Sequence, residues 1–356
     1  MASETSKLSF GEKIGYGLGD TASHFAWDMV GMWLLWFYTD IYGISPAVAG
    51  SIMLVARFWD ALVDPIIGLV SDRTNSRWGK YRPYLLWMAL PYSLVVILLF
   101  TTPDLGQHGK IVYALVMYIL LSTIYALINL PYSSLAGVMT LDSSERTILN
   151  SFRFVCGFIG MLVVGTLTVE LKNYFTPMKA VLDAAVASGL STDCIAALKG
   201  QNLDEALRLG LPAAVKNLYI EKQKTGVQFT VIVYATLSFF LFLITFFSTK
   251  ERIPAPKGQH SSVLTDLKNV IKIRSWVILF FLCLFLFILI ALQGGVTMYF
   301  FKYYVQNERL SQVFNFGGIG AIILGIMFTD TLVKKWGKRN VFLVCSIISG
   351  LSLIHI

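Results

Sequence analysis

Long apolar stretches, separated by shorter polar ones, follow one another along the whole chain. A helix crosses a hydrocarbon core of ~30 Å with about 20 residues, whereas a membrane barrel shows strict alternation of apolar and polar positions. We therefore predict membrane-spanning helices, and we expect the sequence to end inside the last one, which has no polar tail. The nine apolar segments are approximately 16–41, 46–71, 82–103, 111–140, 150–171, 226–249, 275–301, 311–331 and 340–356.

The composition agrees with this pattern. Hydrophobic residues make up 56 % of the chain and charged residues 14 %, and the mean hydropathy is +0.66. Because soluble domains are about 25 % charged, a soluble enzyme and a disordered protein are excluded. The net charge of +8 predicts no nucleic-acid partner, since the basic residues lie mostly in loops between apolar segments. The four widely spaced cysteines form no metal or redox motif.

The loop charges predict an orientation in the membrane. With the N-terminus inside, the inner loops hold most of the basic residues, and the short outer loops carry only Lys110, Lys302 and Arg309. By the positive-inside rule we expect a multi-pass protein of the plasma (inner) membrane, embedded in the lipid bilayer with a cytoplasmic N-terminus. The long polar stretch 173–225 then lies outside. Its composition predicts two or three short amphipathic helices, which we interpret as a passive loop rather than a lid.

A short motif occurs twice, 258 residues apart. Asp72 begins the run DRTNSRWGK after the second apolar segment, and Asp330 begins DTLVKKWGK after the eighth. Equivalent loops six spans apart predict two homologous bundles that rock about a central site. The resulting domains are an N-terminal bundle of five helices at 1–172, an extracytoplasmic insertion at 173–225, a sixth helix at 226–249, a cytoplasmic linker at 250–274 and a partial C-terminal bundle of helices seven to nine at 275–356.

Ionisable residues interrupt the second span. Each one costs about 2.5–3.5 kcal/mol inside a membrane, so it requires a reason. Arg57, Asp60 and Asp64 are spaced by three and four residues and therefore share one helix face. One arginine cannot neutralise two carboxylates, so Asp60 and Asp64 are candidates for binding a proton or Na⁺. Ion pairs that only hold helices together remain the alternative.

The other candidate ligands lie in the first, fourth and fifth spans. Asp20, His24 and Asp28 repeat at intervals of four on one face, with Trp27 beside them. We expect them to line a cavity for a polar ligand, in which aromatic rings can stack on a sugar. The further substrate-binding candidates are Asn129, Tyr132 and Arg153.

Several longer runs make a resemblance specific. They are GYGLGD at 15–20, FYTD at 37–40, DALVDP at 60–65, DRTNSRWGKYRP at 72–83 and NLPYS at 129–133. From about Leu8 onward, except in the insertion, the chain resembles the glycoside–pentoside–hexuronide:cation symporters, the family of the melibiose permease within the major facilitator superfamily. The resemblance implies an all-α major facilitator fold of about nine helices, with a complete six-helix N-terminal half and a truncated C-terminal half.

The same resemblance implies roles for individual residues. The paired aspartates of the second span bind the coupling cation in that family, which assigns Asp60 and Asp64, and the arginine of the fifth span contacts sugar, which assigns Arg153. The repeated loop is a conformational latch in the superfamily. The residues implied for the latch are Asp72, Arg73, Arg77, Lys80, Asp330, Lys335 and Lys338.

Departures from the melibiose permease point to a different substrate and ion. Val63 stands where that protein has an Asn that helps to hold Na⁺. His24 and Asn129 stand where it has acidic sugar ligands, and Ser133 replaces a tryptophan that stacks on sugar. The chain is therefore more similar to the xyloside and glucuronide branch, and the apolar Val63 favours H⁺ over Na⁺.

The function expected from these residues is secondary active symport. A sugar, glycoside, pentoside or hexuronide would move with H⁺ or Na⁺ by alternating access, without any other cofactor. Two alternatives stay open at this point. One is a truncated fragment that does not transport, and the other is a membrane-embedded enzyme, for which the spans offer no nucleophile motif, metal cluster or nucleotide loop.

Overall fold

The computed structural model describes residues 7–253, 269–270, 272–299, 304–305 and 308–354. In these ranges the regular structure is helical, apart from an isolated bridge between Ser76 and Gly79. The chain divides into two compact units, Met1–Ile253 and Pro254–Ile356, and each is described by itself.

The first unit holds six long helices and three short ones. Local sequence sets their starts: Ser9 and Glu12 form a capping box at the first helix, and Asp142 caps the fifth. A π-helical turn, Phe37–Ile41, prolongs the first helix. The helices are α1 Phe10–Trp36, α2 Pro46–Arg73, α3 Arg82–Leu99, α4 Gln107–Met139, α5 Ser143–Phe175, α6 Met178–Ala187, α7 Thr192–Lys199, α8 Leu203–Arg208 and α9 Ala213–Ser248.

The second unit contains α10, Arg274–Tyr299, and α11, Glu308–Ile354. Gly337 interrupts α11 with φ 77° and ψ 154°, so two helices meet there at a kink. The sequence predicts a break between the eighth and ninth spans in the same region. The division of the whole chain into two homologous halves stays a prediction.

Within the described residues, five helical segments are long and apolar enough to cross a membrane. These segments are Arg82–Leu99, Gln107–Met139, Ser143–Phe175, Ala213–Ser248 and Gly317–Ser349. α1 and α2 are longer than 18 residues but are not among these segments. Both carry ionisable residues that are predicted to form the site, Asp20 and Asp28 in α1 and Arg57, Asp60 and Asp64 in α2.

Among the helix boundaries of the first unit, the largest correction concerns the sixth long helix. The sixth long helix begins at Ala213 rather than at 226, because its first turns are amphipathic and a hydropathy pattern does not extend into them. Val215 and Tyr219 on those turns are buried against α6–α8. The three short helices agree with the two or three predicted for the insertion. Most of the predicted linker 250–274 lies outside the described residues.

α1 lies at the centre of the first unit, where it packs against α5 and α9. Three glycines near its start allow close approach of three neighbours, as small residues do between membrane helices. A Cβ at Gly17 would lie 2.7 Å from the sulfur of Cys156 in α5, and one at Gly19 would lie 2.8 Å from the Tyr132 ring in α4. A Cβ at Gly15 would collide with Ser248 of α9.

We expect Gly17→Ala to destabilise the first unit by about 1–3 kcal/mol, since the added methyl group would also meet the Phe152 carbonyl oxygen at 2.9 Å, and backbone cannot move aside cheaply. The measurement is the thermal unfolding midpoint of the purified protein in detergent. The matched control is Gly31→Ala in the same helix, where no atom lies within 4 Å and alanine improves helix propensity. Equal midpoints for both variants would contradict the packing.

Candidate functional site

A cavity of about 280 Å³ lies between α1, α4 and α5. Of the predicted substrate ligands, five line it, and two phenylalanines of α5 close one side. The predicted residues in the lining are Asp20, His24, Trp27, Asn129 and Arg153. We refer to this space as the inner sugar cavity, after the ligand that the sequence predicts for it.

Arg153 is held by three side chains from two other helices. Its Nε donates to Asp20 Oδ1 at 3.0 Å, one terminal nitrogen donates to Ser133 Oγ at 3.0 Å, and the other donates to Asn129 Oδ1 at 3.4 Å. The guanidinium also lies 4.9 Å from the centre of the Tyr132 ring. Its position is therefore fixed by the protein, and Asp20 already balances its charge.

His24 lies between two carboxylates of its own helix. Its Nδ1 is 2.9 Å from Asp28 Oδ2, and its Nε2 is 3.9 Å from Asp20 Oδ2. Gly157 of α5 makes room for this cluster, because a Cβ there would come within 2.5 Å of Asp20 Oδ2 and 2.9 Å of His24 Nε2. Asp28 orients the imidazole from behind, since it does not line the inner sugar cavity.

A second cavity of about 280 Å³ lies between α2 and α4, and we refer to it as the cation cavity, after the ligand that the sequence predicts for its acids. Arg57, Asp60 and Asp64 line it together. Arg57 lies 3.5 Å from Asp60 Oδ2, whereas Asp64 makes no ion pair within the described ranges. The buried Ser122 hydroxyl, also in the lining, has no hydrogen-bond partner among the described residues. When both carboxylates are ionised, the one arginine balances only one of them, and the described lining keeps a negative charge.

An aromatic pair is shared by both cavities. Trp27 and Tyr125 stack with their ring centres 4.1 Å apart and an angle of 12° between the planes. Asn129, also shared, donates from its amide to the Tyr125 hydroxyl at 2.7 Å, and Arg57 lies 5.4 Å from the Trp27 ring centre. A change in either cavity therefore acts on side chains that bound the other.

Tyr132 occupies a different place from the one predicted. It is fully buried, its ring stacks on Tyr16, and its hydroxyl donates to the Tyr16 carbonyl oxygen at 2.5 Å. Its ring packs against the Arg153 guanidinium, and it is not in the lining of the inner sugar cavity. Tyr125, by contrast, was not singled out as a ligand, although its position one turn before Asn129 places it on the same helix face.

The loop after α2 holds the predicted latch residues of the first copy. Lys80 pairs with Asp72 at 2.9 Å, and the Tyr81 hydroxyl donates to the same carboxylate at 2.8 Å. Partial burial opposes the charge on Lys80, yet the hydrogen bond to Asp72 raises the pKa of this lysine above its ordinary value. Arg77 lies over the Trp78 ring at 4.2 Å, and Arg73 is in the last turn of α2.

The sequence analysis missed Glu251, which fastens this loop to the end of α9. Its carboxylate accepts the backbone N–H groups of Lys80 at 2.9 Å, Tyr81 at 2.7 Å and Arg82 at 2.9 Å. These are unpaired donors at the start of α3, where a negative charge is favourable. In the sequence, Glu251 is recognisable only as an acidic residue just after the sixth apolar segment.

The second copy of the motif differs in its ion pair. Asp330 pairs with Lys334 at 2.5 Å, one turn further along α11, and this lysine is not among the residues implied for the latch. The reason is helical geometry, which brings residues four apart together. The glycines correspond, because Gly79 and Gly337 both have a positive φ, 112° and 77°.

Known proteins resemble the chain over most of its length. A sequence profile of the family described as MFS/sugar transport protein matches residues 15–355. The inner membrane symporter YicJ of Escherichia coli is 36 % identical over 86 % of the chain and 57 % of its own length, and the putative glycoside/cation symporter YagG of the same organism is 32 % identical over 94 % and 64 %. The isoprimeverose transporter of Lactiplantibacillus pentosus is 30 % identical over 95 % and 62 %.

The alignments with these relatives cover somewhat less than two thirds of their length. The family consists of transporters, which confirms the expectation that the protein is not an enzyme. Together with the apolar helices, the relatives indicate a multi-pass inner-membrane protein. The chain thus belongs to the MFS/sugar transport family and is related to its glycoside/cation symporters.

Proposed function

We propose that the protein is a secondary active symporter that moves an uncharged glycoside or pentoside together with a proton. The observation that carries the proposal is the pair of adjoining cavities, one rich in acids and the other holding a fixed arginine, with Trp27 and Tyr125 common to both. Ion and sugar would bind within reach of the same aromatic wall. The relatives' names, which include glycoside/cation symport, support the substrate class.

The cation cavity favours a proton. Hard metal cations are held by several oxygen ligands, as Ca²⁺ and Mg²⁺ are in proteins. The described lining offers Asp60, Asp64 and the Ser122 hydroxyl, while the Asn129 oxygen already accepts from Arg153 and the Tyr125 hydroxyl already accepts from Asn129. A proton needs only one carboxylate, and Asp64 is the acid without an ion-pair partner among the described residues.

The inner sugar cavity favours an uncharged ligand over a hexuronide. A carboxylate would need the Arg153 guanidinium, which Asp20, Ser133 and Asn129 already occupy. Asp20 and Asp28 would repel it as well. Sugar hydroxyl groups, in contrast, can accept from a remaining N–H of Arg153 and donate to Asp20 without displacing an ion pair.

We further propose that the N-terminus is cytoplasmic and that the loop after α2 acts as a latch on that side. The contacts of Asp72 with Lys80 and of Glu251 with the start of α3 hold the loop in the state described here. Rocking during transport would require these contacts to break and form again. Asp330 with Lys334 is the corresponding pair in the second unit.

Asp64→Asn should lower the uphill accumulation of sugar at least tenfold, because an amide cannot take up and release the coupling proton. Exchange of sugar across the membrane should continue. The measurement is uptake by the full-length transporter in proteoliposomes under an imposed proton gradient. Asp104→Asn, an exposed acid in the turn after α3, is the control and should accumulate normally. Full accumulation by the Asp64 variant would refute the assignment.

Arg153→Lys should weaken sugar binding about tenfold or more, because a single ammonium group cannot reproduce three hydrogen bonds in a fork. Equilibrium titration with methyl β-D-xyloside, and with glucuronate for comparison, measures the effect. Arg146→Lys, an exposed position in the same helix, should bind normally. Tighter binding of glucuronate than of the xyloside by the unmodified protein would overturn the choice of an uncharged substrate.

Glu251→Gln should speed amide hydrogen exchange of Lys80, Tyr81 and Arg82 by about tenfold, since charge-assisted hydrogen bonds contribute roughly 1.5–3 kcal/mol each and the substitution weakens all three. Hydrogen exchange read by mass spectrometry reports it directly. Glu221→Gln, an exposed acid on α9, is the control. Unchanged exchange in the loop would mean that Glu251 does not hold it.

A further inference from the structure

A third cavity, of about 320 Å³, lies at the other end of the first unit. The short helices of the insertion meet the ends of α1 and α5 and the first turns of α9 there. Its polar lining includes Lys172, Gln201, Asp40 and Asp204, with the indole of Trp36 beside them. We call it the outer cavity. Neither the sequence motifs nor the relatives' names assign a role to it.

The outer cavity is remote from the latch. α1 and α5 both begin on the side where Lys13 pairs with Glu145 at 2.9 Å, and both end at the outer cavity. The loop with Asp72 follows the end of α2, which runs in the opposite direction. In the orientation proposed above, the outer cavity therefore opens on the extracytoplasmic side, from which a substrate arrives.

Gln201 is held in a conformation that its side chain makes costly. The three short helices end alike, with a residue of positive φ just after the last turn, where glycine is the usual choice. Gly189 follows α6 with φ 67° and Gly210 follows α8 with φ 89°, but Gln201 follows α7 with φ 54°. A non-glycine residue in this region is disfavoured by its Cβ.

The Gln201 amide is fixed, and one of its atoms is left unpaired. Its Nε2 donates to the Asn173 carbonyl oxygen at 3.4 Å, and its backbone oxygen accepts from the Tyr219 hydroxyl at 3.1 Å. The side-chain oxygen is buried, and no hydrogen-bond partner for it occurs in the described part of the chain. A buried acceptor without a donor is costly, and it indicates a site where a ligand or water donates.

Lys172 supplies a donor to the same cavity. Its ammonium lies 5.3 Å from the centre of the Trp36 ring, and within the described ranges no carboxylate pairs with it. The cavity thus presents an ammonium group, a free amide oxygen, two carboxylates and an aromatic ring edge. A metal cation would be repelled by Lys172, and an anion would meet Asp40 and Asp204. Hydroxyl groups, which both donate and accept, match the mixture.

We propose that the outer cavity is a second binding site for a sugar, in which the Gln201 amide oxygen and the Lys172 ammonium bind hydroxyl groups. The site holds the sugar at the extracytoplasmic mouth before it reaches the inner sugar cavity. The choice of ligand rests on the proposed function. The insertion is then more than the passive loop favoured by the sequence, since Gln201 after α7 and Asp204 of α8 complete the site.

The test is calorimetric titration of the full chain in lipid nanodiscs with methyl β-D-xyloside. We expect two classes of site in the unmodified protein. Gln201→Gly and Lys172→Met should each weaken one class about tenfold and leave the other unchanged. Gln201→Gly should unfold at the same or a higher temperature, because glycine relieves the backbone, so a loss of binding cannot be attributed to misfolding. Asp183→Asn, an exposed acid of α6, is the control and should bind like the unmodified protein.

Arg153→Met separates this proposal from the function on which it rests. If both sites exist, Arg153→Met abolishes sugar binding at the inner sugar cavity and retains the class of site that Gln201→Gly weakens. A single class of site that Arg153→Met abolishes and Gln201→Gly leaves intact overturns the outer site but supports the symporter. A single class with the reverse sensitivity supports the outer site and overturns the inner one. Absence of any saturable binding overturns both.

Discussion

An unbalanced charge inside an apolar bundle is the constraint on which the site depends. Asp60 and Asp64 share a cavity with Arg57 as the one base in its described lining, and a membrane offers no bulk water to screen what remains. The pair is stable only while something positive is bound or while the cavity opens to solvent. In the symport proposed above, such a cost would link occupation by the ion to access from the two sides of the membrane.

In the inner sugar cavity, by contrast, the charge of the arginine is already balanced. Asp20 balances Arg153, and Ser133 and Asn129 hold its remaining donors, so the guanidinium is oriented before a sugar arrives. This arrangement relies on the close packing of α1 and α5. Gly157 leaves the space that the Asp20 carboxylate and the His24 ring occupy. The packing residues of the fold and the binding residues of the site are consequently adjacent positions on the same helices.

Sequence reasoning succeeded where the relevant contacts lie along one helix. Spacings of three and four put Arg57, Asp60 and Asp64 on one face, and the structure brings them to one cavity. It was less successful where contacts join helices distant in sequence. Tyr132 looks like a ligand from its motif but is buried under Arg153, and Glu251 is separated from Lys80 by 171 residues. Pattern and periodicity carry no information about which helices become neighbours.

The latch and the three cavities lie at different levels along the helices of the first unit. The latch and Glu251 act at one end, the two inner cavities lie along α1 and α4, and the insertion closes the outer cavity at the other end. α1 takes part at every level, from the Glu12–Arg252 ion pair at its start to Trp36 at its end. A tilt of α1 would displace Trp27, which lies beside Arg57 in the cation cavity, and Trp36, which lies beside Lys172 in the outer cavity. α1 thus contributes side chains or ion pairs at both ends of the first unit and to both cavities between them.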